Sequence, residues 1–282
     1  MKKVRIHLGY AGFCLAKENE VIKGGRRRKI KFHALWGLIK HPEIGWILYD
    51  TGYTDRFYDA TKNFPNRIYA LVTEVKVVEE DHVRNKLQKF NIRPEDIKHV
   101  IITHFHADHV CGLKDFPNAT FYASRKALRH ALAIPRPIAF SKGILKKLLP
   151  ADLADRTVFI EDQGAVKQDA IFGSVHDLFG DDSILIYDLP GHAAGQIGVR
   201  LETKRKGYFL ISDACWLKRA YEENILPNQI VRVFIHSWTD MKETLAKVHR
   251  FHKEYPEVVI VPTHCNKSTD PLVSDAIGLD RL

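Results

Sequence analysis

The chain has 282 residues, 45% hydrophobic and 27% charged, which bounds it to one large or two small globular domains with core enough to fold without covalent staples. Its four cysteines, Cys14, Cys111, Cys215 and Cys265, are too few and too irregularly spaced for a disulfide framework or a CxxC metal site, and no run approaches the roughly 18 apolar residues of a membrane span. The expectation is a soluble cytoplasmic protein. The formal charge of +9 includes one dense run, Lys23-Gly24-Gly25-Arg26-Arg27-Arg28-Lys29, which reads as a solvated hairpin turn rather than an anionic-substrate or nucleic-acid contact.

The start, Met1-Lys2-Lys3-Val4-Arg5, has the charge of a signal peptide, but His7 and two glycines spoil the apolar stretch that should follow. Residues 4–8 read as a first strand. Further strands are expected at 31–38, 46–49, 100–102, 120–123, 158–160, 184–187, 197–201, 208–211 and 258–261, on short β-branched or alternating apolar runs. Helices are expected at 81–90, 124–132, 142–149 and 240–255. In the last, Asp240 and Glu243 have capping-box spacing, Met241, Leu245, Val248 and Phe251 form one stripe, and Pro256 ends it. Interleaved strands and helices over residues 1–282 predict a single layered α/β domain. Residues 133–155, with their prolines, are the candidate lid or pocket insertion, with a plain surface helical hairpin as the alternative.

The informative segment is Thr103-His104-Phe105-His106-Ala107-Asp108-His109, which follows the strand 100–102. In an extended loop alternate residues point the same way, so His104 and His106 can face one metal. Asp108 and His109 fall at the start of the next element and can turn toward a second. Imidazoles and a carboxylate without thiolate suit Zn²⁺ most simply, with Mn²⁺, Co²⁺ or Fe²⁺ as alternatives. Three more ligand-type residues each lie just past a predicted strand: His192 in Pro190-Gly191-His192, Asp213 in Ser212-Asp213-Ala214, and His264 in Pro262-Thr263-His264.

This ordered set resembles the metallo-β-lactamase superfamily, whose pattern is HxHxDH, then a His in a Pro-Gly-His context, then an Asp and a late His. The resemblance runs from Leu48-Tyr49-Asp50-Thr51-Gly52 to His264. It implies an αββα sandwich of two mixed sheets flanked by helices. It further implies two divalent metal ions: His104, His106 and His192 on one, Asp108, His109 and His264 on the other, Asp213 bridging, and Asp50 orienting the ligands from behind.

Within the superfamily, His109 together with Asp213 departs from the zinc β-lactamase pattern, and His106 stands where the diiron oxygen reducers place Glu. The chain is most similar to the N-acyl homoserine lactonase-like group of quorum-quenching enzymes. The implied reaction is attack of a metal-bridging hydroxide on a small ester or lactone, with Asp108 relaying a proton to the leaving group. Alternatives are a phosphodiesterase or thioesterase on the same site, or a metal-binding sensor without turnover. One position departs from the lactonases: Trp216 stands where they commonly have Tyr, and an indole N–H can donate a hydrogen bond but cannot act as an acid. Phe105 and Trp216 are the candidate substrate contacts. The expected partner is a small-molecule substrate, without membrane or nucleic acid, and a homodimer is left open.

Overall fold

Side chains of a strand alternate between two faces, and in the central strands of this protein both faces are apolar, which requires cover on both sides. The structure, a computed structural model, describes residues 2–274, so the extreme ends of the domain expected over 1–282 lie outside the described residues. One sheet contains β1 (Arg5–Lys17), β2 (Lys29–His41), β3 (Gly45–Tyr49), β4 (Glu74–Lys76), β5 (His99–Ile101), β6 (Thr120–Ala123) and β7 (Thr157–Phe159), in the order β4-β1-β2-β3-β5-β6-β7. The other contains β8 (Ala165–Asp169), β9 (Gly173–Asp177), β10 (Ile184–Asp188), β11 (Ile197–Glu202), β12 (Gly207–Ser212) and β13 (Val259–Pro262), in the order β13-β12-β11-β10-β9-β8. Both are mixed: β3, β5, β6 and β7 run parallel, as do β12 and β13, and the remaining pairs are antiparallel.

The alternation sorts each strand between two layers. Leu35, Ile39, Ile47, Tyr49 and Ile101 meet Ile186, Val199, Leu201 and Leu210 between the sheets. Their neighbours Trp36, Leu38, Leu48, Val100 and Ile102 face outward, under the helix Arg125–Ala133 through Leu128 and Ala131. On the far side, Tyr187, Phe209 and Ile211 pack under the helix Trp238–Glu254 through Leu245, Val248 and Phe251. Helix, sheet, sheet, helix is the αββα sandwich expected from the resemblance. No helix among the described residues is long and apolar enough to cross a membrane.

Several local expectations are corrected. The first strand runs on from residue 8 to Lys17, because a bulge between Tyr10 and Phe13, with Gly12 at φ +75°, breaks the alternation that marks a strand. The hairpin β8–β9 and the short β4 escape sequence reading because β4 and β8 are edge strands and all three carry few buried side chains. The helix expected at 142–149 does not form: Gly143 takes a left-handed φ of +71°, and only the turn Lys146–Leu148 follows. The helix at 81–90 is a succession of three short turns. A further short helix, Lys218–Glu223, not among those expected, follows Trp216, with Arg219 and Glu223 paired four residues apart.

The long C-terminal helix starts at Trp238, capped by Ser237, whose Oγ accepts the Asp240 N–H at 3.3 Å. The cap is therefore three residues ahead of the one read from the Asp240–Glu243 spacing. Ser237→Ala is expected to cost about 1 kcal/mol of stability. Phe251→Ala should cost about 3–5 kcal/mol, because its fully buried ring packs against Phe209 and Tyr255. Urea unfolding followed by circular dichroism measures both.

Candidate metal centre

Five strands end at one edge of the sandwich, and each delivers a candidate residue just past its C-terminus: β3 gives Asp50, β5 the motif 103–109, β10 His192, β12 Asp213 and β13 His264. After β5 the chain stays extended to His106 (φ −73°, ψ 156°), then turns into the short helix Ala107–Val110, which carries Asp108 and His109 inward. Gly191, at φ +132°, lets the chain before His192 pass against the backbone of Met241, a close approach that any side chain would block.

Two groups result, each with donor atoms within 4.8 Å of one another: His104, His106 and His192 in one, Asp108, His109, Asp213 and His264 in the other. His106 Nδ1 and His192 Nε2 face each other at 2.9 Å. His109 Nε2 lies 3.4 Å from Asp108 Oδ2 and 3.6 Å from Asp213 Oδ1. Asp213 Oδ2 lies 3.3 Å from His192 Nε2 and 3.1 Å from His264 Nε2, so one carboxylate faces both groups.

These residues fit divalent metal. His104 Nε2, His109 Nε2 and Asp213 Oδ1 are buried with no hydrogen-bond partner, although buried polar atoms nearly always have one. Ligands about 2.0–2.1 Å from a tetrahedral ion stand roughly 3.3 Å from each other, close to the spacings above. The opposite edges of three of the rings are engaged. His109 Nδ1 donates to Asp50 Oδ2 at 2.7 Å, and His264 Nδ1 donates to the His33 carbonyl at 2.9 Å. His104 Nδ1 lies 3.2 Å from Thr103 Oγ1 and 3.3 Å from Ser212 Oγ. Such outer bonds fix the tautomer that leaves Nε2 free inward.

Electrostatics agrees. Burial, reinforced by neighbouring imidazoles, pushes the pKa of His104 well down and that of His106 to about 3, which keeps their lone pairs available. Burial opposes charge on Asp108 and Asp213 too, but the surrounding histidines outweigh it and both carboxyls fall below their usual range. His109 and His264 rise, burial being overcome by Asp108 and Asp50 in the first case and by Asp213 in the second. The carboxylate-bearing group thus attracts positive charge.

Asp50 is completely buried and accepts three bonds, from the Thr103 N–H at 2.9 Å, the Thr103 hydroxyl at 2.8 Å and His109. Trp216 is 8% exposed; its indole N–H is directed to Asp213 Oδ2 at 3.2 Å and its ring stands edge-on to His192. Phe105 is buried in the outer core and also walls a small cavity beside His106. Cys111, Cys215 and Cys265 are buried thiols outside both groups. Sequence reading passed over Thr103 and Ser212, although each directly precedes a candidate ligand. It also passed over Phe32, stacked on His264 with ring centres 4.6 Å apart, and Gly143, where a Cβ would stand 2.6 Å from the His106 ring.

The sequence model of the metallo-beta-lactamase superfamily matches residues 31–214. The chain is 24% identical over 216 residues to an N-acyl homoserine lactonase of Bacillus thuringiensis, covering 76% of this chain and 77% of the relative. A crystal structure of B. thuringiensis AiiA with N-decanoyl-L-homoserine bound at its active site superposes with a TM-score of 0.73 at 19% identity, over 96% of this chain and 97% of that one. AidC, described as a dizinc quorum-quenching lactonase, gives a TM-score of 0.60 at 15% identity, over 94% and 89% of the two chains.

Asp50→Asn removes the carboxylate that holds the His109 ring. It is expected to weaken Zn²⁺ binding about 10–100-fold while leaving the fold intact. Competition with a chromogenic chelator, alongside circular dichroism, measures this.

Proposed function

The chain belongs to the metallo-beta-lactamase superfamily, and on that premise we propose that it is a dinuclear zinc hydrolase acting on a small-molecule ester or lactone. The observation that carries the reading is Asp213, a buried carboxylate that faces both donor groups through one oxygen. In this reading His104, His106 and His192 hold one cation, Asp108, His109 and His264 the other, and Asp213 joins them. The dizinc lactonase of the same fold supports two metals, and the curated lactonase supports acyl chemistry.

When bound, the cations supply Lewis acidity, which brings the pKa of water toward neutrality and polarises a carbonyl. The chain's own residues do the rest. Asp108, held ionised by its histidine neighbours, is the more exposed of the two carboxylates and the one placed to take a proton and pass it to a leaving alkoxide. Asp50 and Thr103 hold the His109 ring in register. Trp216 and Phe105 contribute apolar wall that keeps water from the reacting centre. The indole N–H is spent on Asp213, so it does not serve the substrate carbonyl. Residues 133–155 act as the pocket insertion, since Lys142 and Ile144 share a cavity wall with His106. Phosphodiester or thioester cleavage is the second reading, the phosphodiester being favoured by the +9 charge.

The Zn²⁺-loaded protein should hydrolyse members of a panel of acyl-lactones and p-nitrophenyl esters faster than bis-p-nitrophenyl phosphate. Chelation should abolish the activity and added metal restore it. His106→Ala and His109→Ala should lose bound metal and most turnover together. Wild-type rates from either variant after chelation would sink the proposal.

A further inference from the structure

The net charge is unevenly distributed. Residues 116–150 contain seven Lys or Arg and no Asp or Glu, so of the net +9 only +2 is left for the remainder of the chain. Four of these cations line two neighbouring cavities. The smaller, of ≈ 20 Å³, lies against His106 and His192 and is walled by Lys142, His130 and His236. It has room for little more than a water or a similarly small group. The larger, of ≈ 440 Å³, is a ligand-sized space walled by Arg136, Lys146 and Lys147 beside Asn63, Asn66 and Phe64. Ile144 forms part of both walls, so the two spaces stand back to back.

No carboxylate lines either cavity. Among the described residues, none of Arg136, Lys142, Lys146 and Lys147 makes an ion pair. Cations elsewhere do so freely, as in Arg28 with Glu18, Arg56 with Asp115 and Arg125 with Asp162. Two of the four are nonetheless held in place. Lys142 Nζ donates to the Val233 carbonyl at 2.9 Å and Lys146 Nζ to the Leu132 carbonyl at 2.6 Å, which fixes the ammonium groups without neutralising them. Concave walls of one sign focus potential and concentrate counter-charged ligands, and an arginine beside lysines is a set suited to phosphate or carboxylate.

We propose that the substrate carries an anionic group, phosphate or carboxylate, remote from the scissile carbonyl, and that Arg136, Lys146 and Lys147 bind it in the larger cavity, while Lys142 adds positive charge in the wall of the smaller one beside His106. This rests on the hydrolase reading above and deepens it: the substrate is an anionic ester or thioester rather than a neutral acyl-lactone. The segment that interrupts the expected helix at 142–149 is then a specificity element.

Two matched pairs distinguish where the anion sits. p-Nitrophenyl hexanoate against mono-p-nitrophenyl adipate adds a carboxylate to the acyl end. The hexanoyl thioester of pantetheine against that of phosphopantetheine adds a phosphate to the leaving group. In one pair the anionic member should show kcat/KM roughly tenfold higher at low salt, chiefly through KM, with the advantage shrinking as salt is added. Arg136→Met with Lys147→Met should bring that ratio toward one. Arg26→Met with Arg27→Met, an equal loss of charge in the β1–β2 connection at residues that line neither cavity, should leave it. Equal kcat/KM within both pairs, or the same response to both double variants, overturns the proposal. Calorimetry with hexanoate, adipate and the S-hexyl thioethers of pantetheine and phosphopantetheine gives a readout independent of turnover. If no ester is hydrolysed but an anionic ligand binds more tightly than its neutral or less charged counterpart, the hydrolase reading fails and the anion site stands. Equal binding within both ligand pairs overturns the anion site whatever the activity.

Discussion

Two carboxylates, Asp108 and Asp213, are buried among imidazoles, and the inward nitrogens of two of these, His104 and His109, find no hydrogen-bond partner in the protein. Taking each carboxylate out of water carries an effective penalty of several kcal/mol, recovered only if positive charge sits beside it in good geometry. The raised pKa values of His109 and His264 express that demand within the chain. A divalent cation meets it more fully, because it also satisfies His104 and the other neutral rings at the same time. Metal binding and folding would then share one free energy, as they do wherever ligands are assembled from distant parts of a chain.

That demand explains the strain nearby. Asp50 and Ser212 both adopt left-handed backbone, at φ +51° and +49°, directly at the ends of β3 and β12. Neither is a glycine, and each such residue costs on the order of 1–3 kcal/mol. The turn at Asp50 delivers its carboxylate to Thr103 and His109, and the turn at Ser212 delivers its hydroxyl to Thr103 and the next residue, Asp213, to the centre. Thr103 ties the two strained positions together, touching Asp50, Ser212, His104 and His109 at once. A hydroxyl can serve so many neighbours because it both donates and accepts.

Most of this was legible in sequence because chemistry and periodicity pointed the same way. Val100, Ile101 and Ile102 announce a buried strand, and ligand types at its end announce a site; the same conjunction marks His192, Asp213 and His264. What failed to show had physical reasons. The bulge at Gly12 scrambles alternation in β1, and edge strands such as β8 carry too little burial to leave a pattern. Gly143 ends a helix that the composition of 142–149 would favour, and its cause lies in three dimensions: the turn must clear the His106 ring. Thr103 and Ser212 are ordinary residue types whose roles come from contacts no spacing encodes. Phe32 stacks on His264 across more than two hundred residues of chain.

Trp216 and the basic segment together bear on how selectivity is divided. In the proposed reaction the indole, with its N–H committed to Asp213, would offer the substrate a wall and no proton, so stabilisation of developing charge would come from the centre itself. Cations on the far side of Ile144 cannot lower that chemical barrier directly. Contacts equally strong before and during reaction improve capture of substrate, and they accelerate chemistry only where they are spent on positioning. The turn at Gly143 gives such positioning a physical route. Its carbonyl accepts the Ala107 N–H at 3.2 Å and any side chain in its place would collide with the ring of His106, within the same short segment as Lys142 and Lys146. A ligand gripped by the basic wall therefore bears on the backbone that seats His106 and the helix carrying Asp108. In such an arrangement the identity of the substrate and the geometry of the catalytic group are set by one stretch of chain.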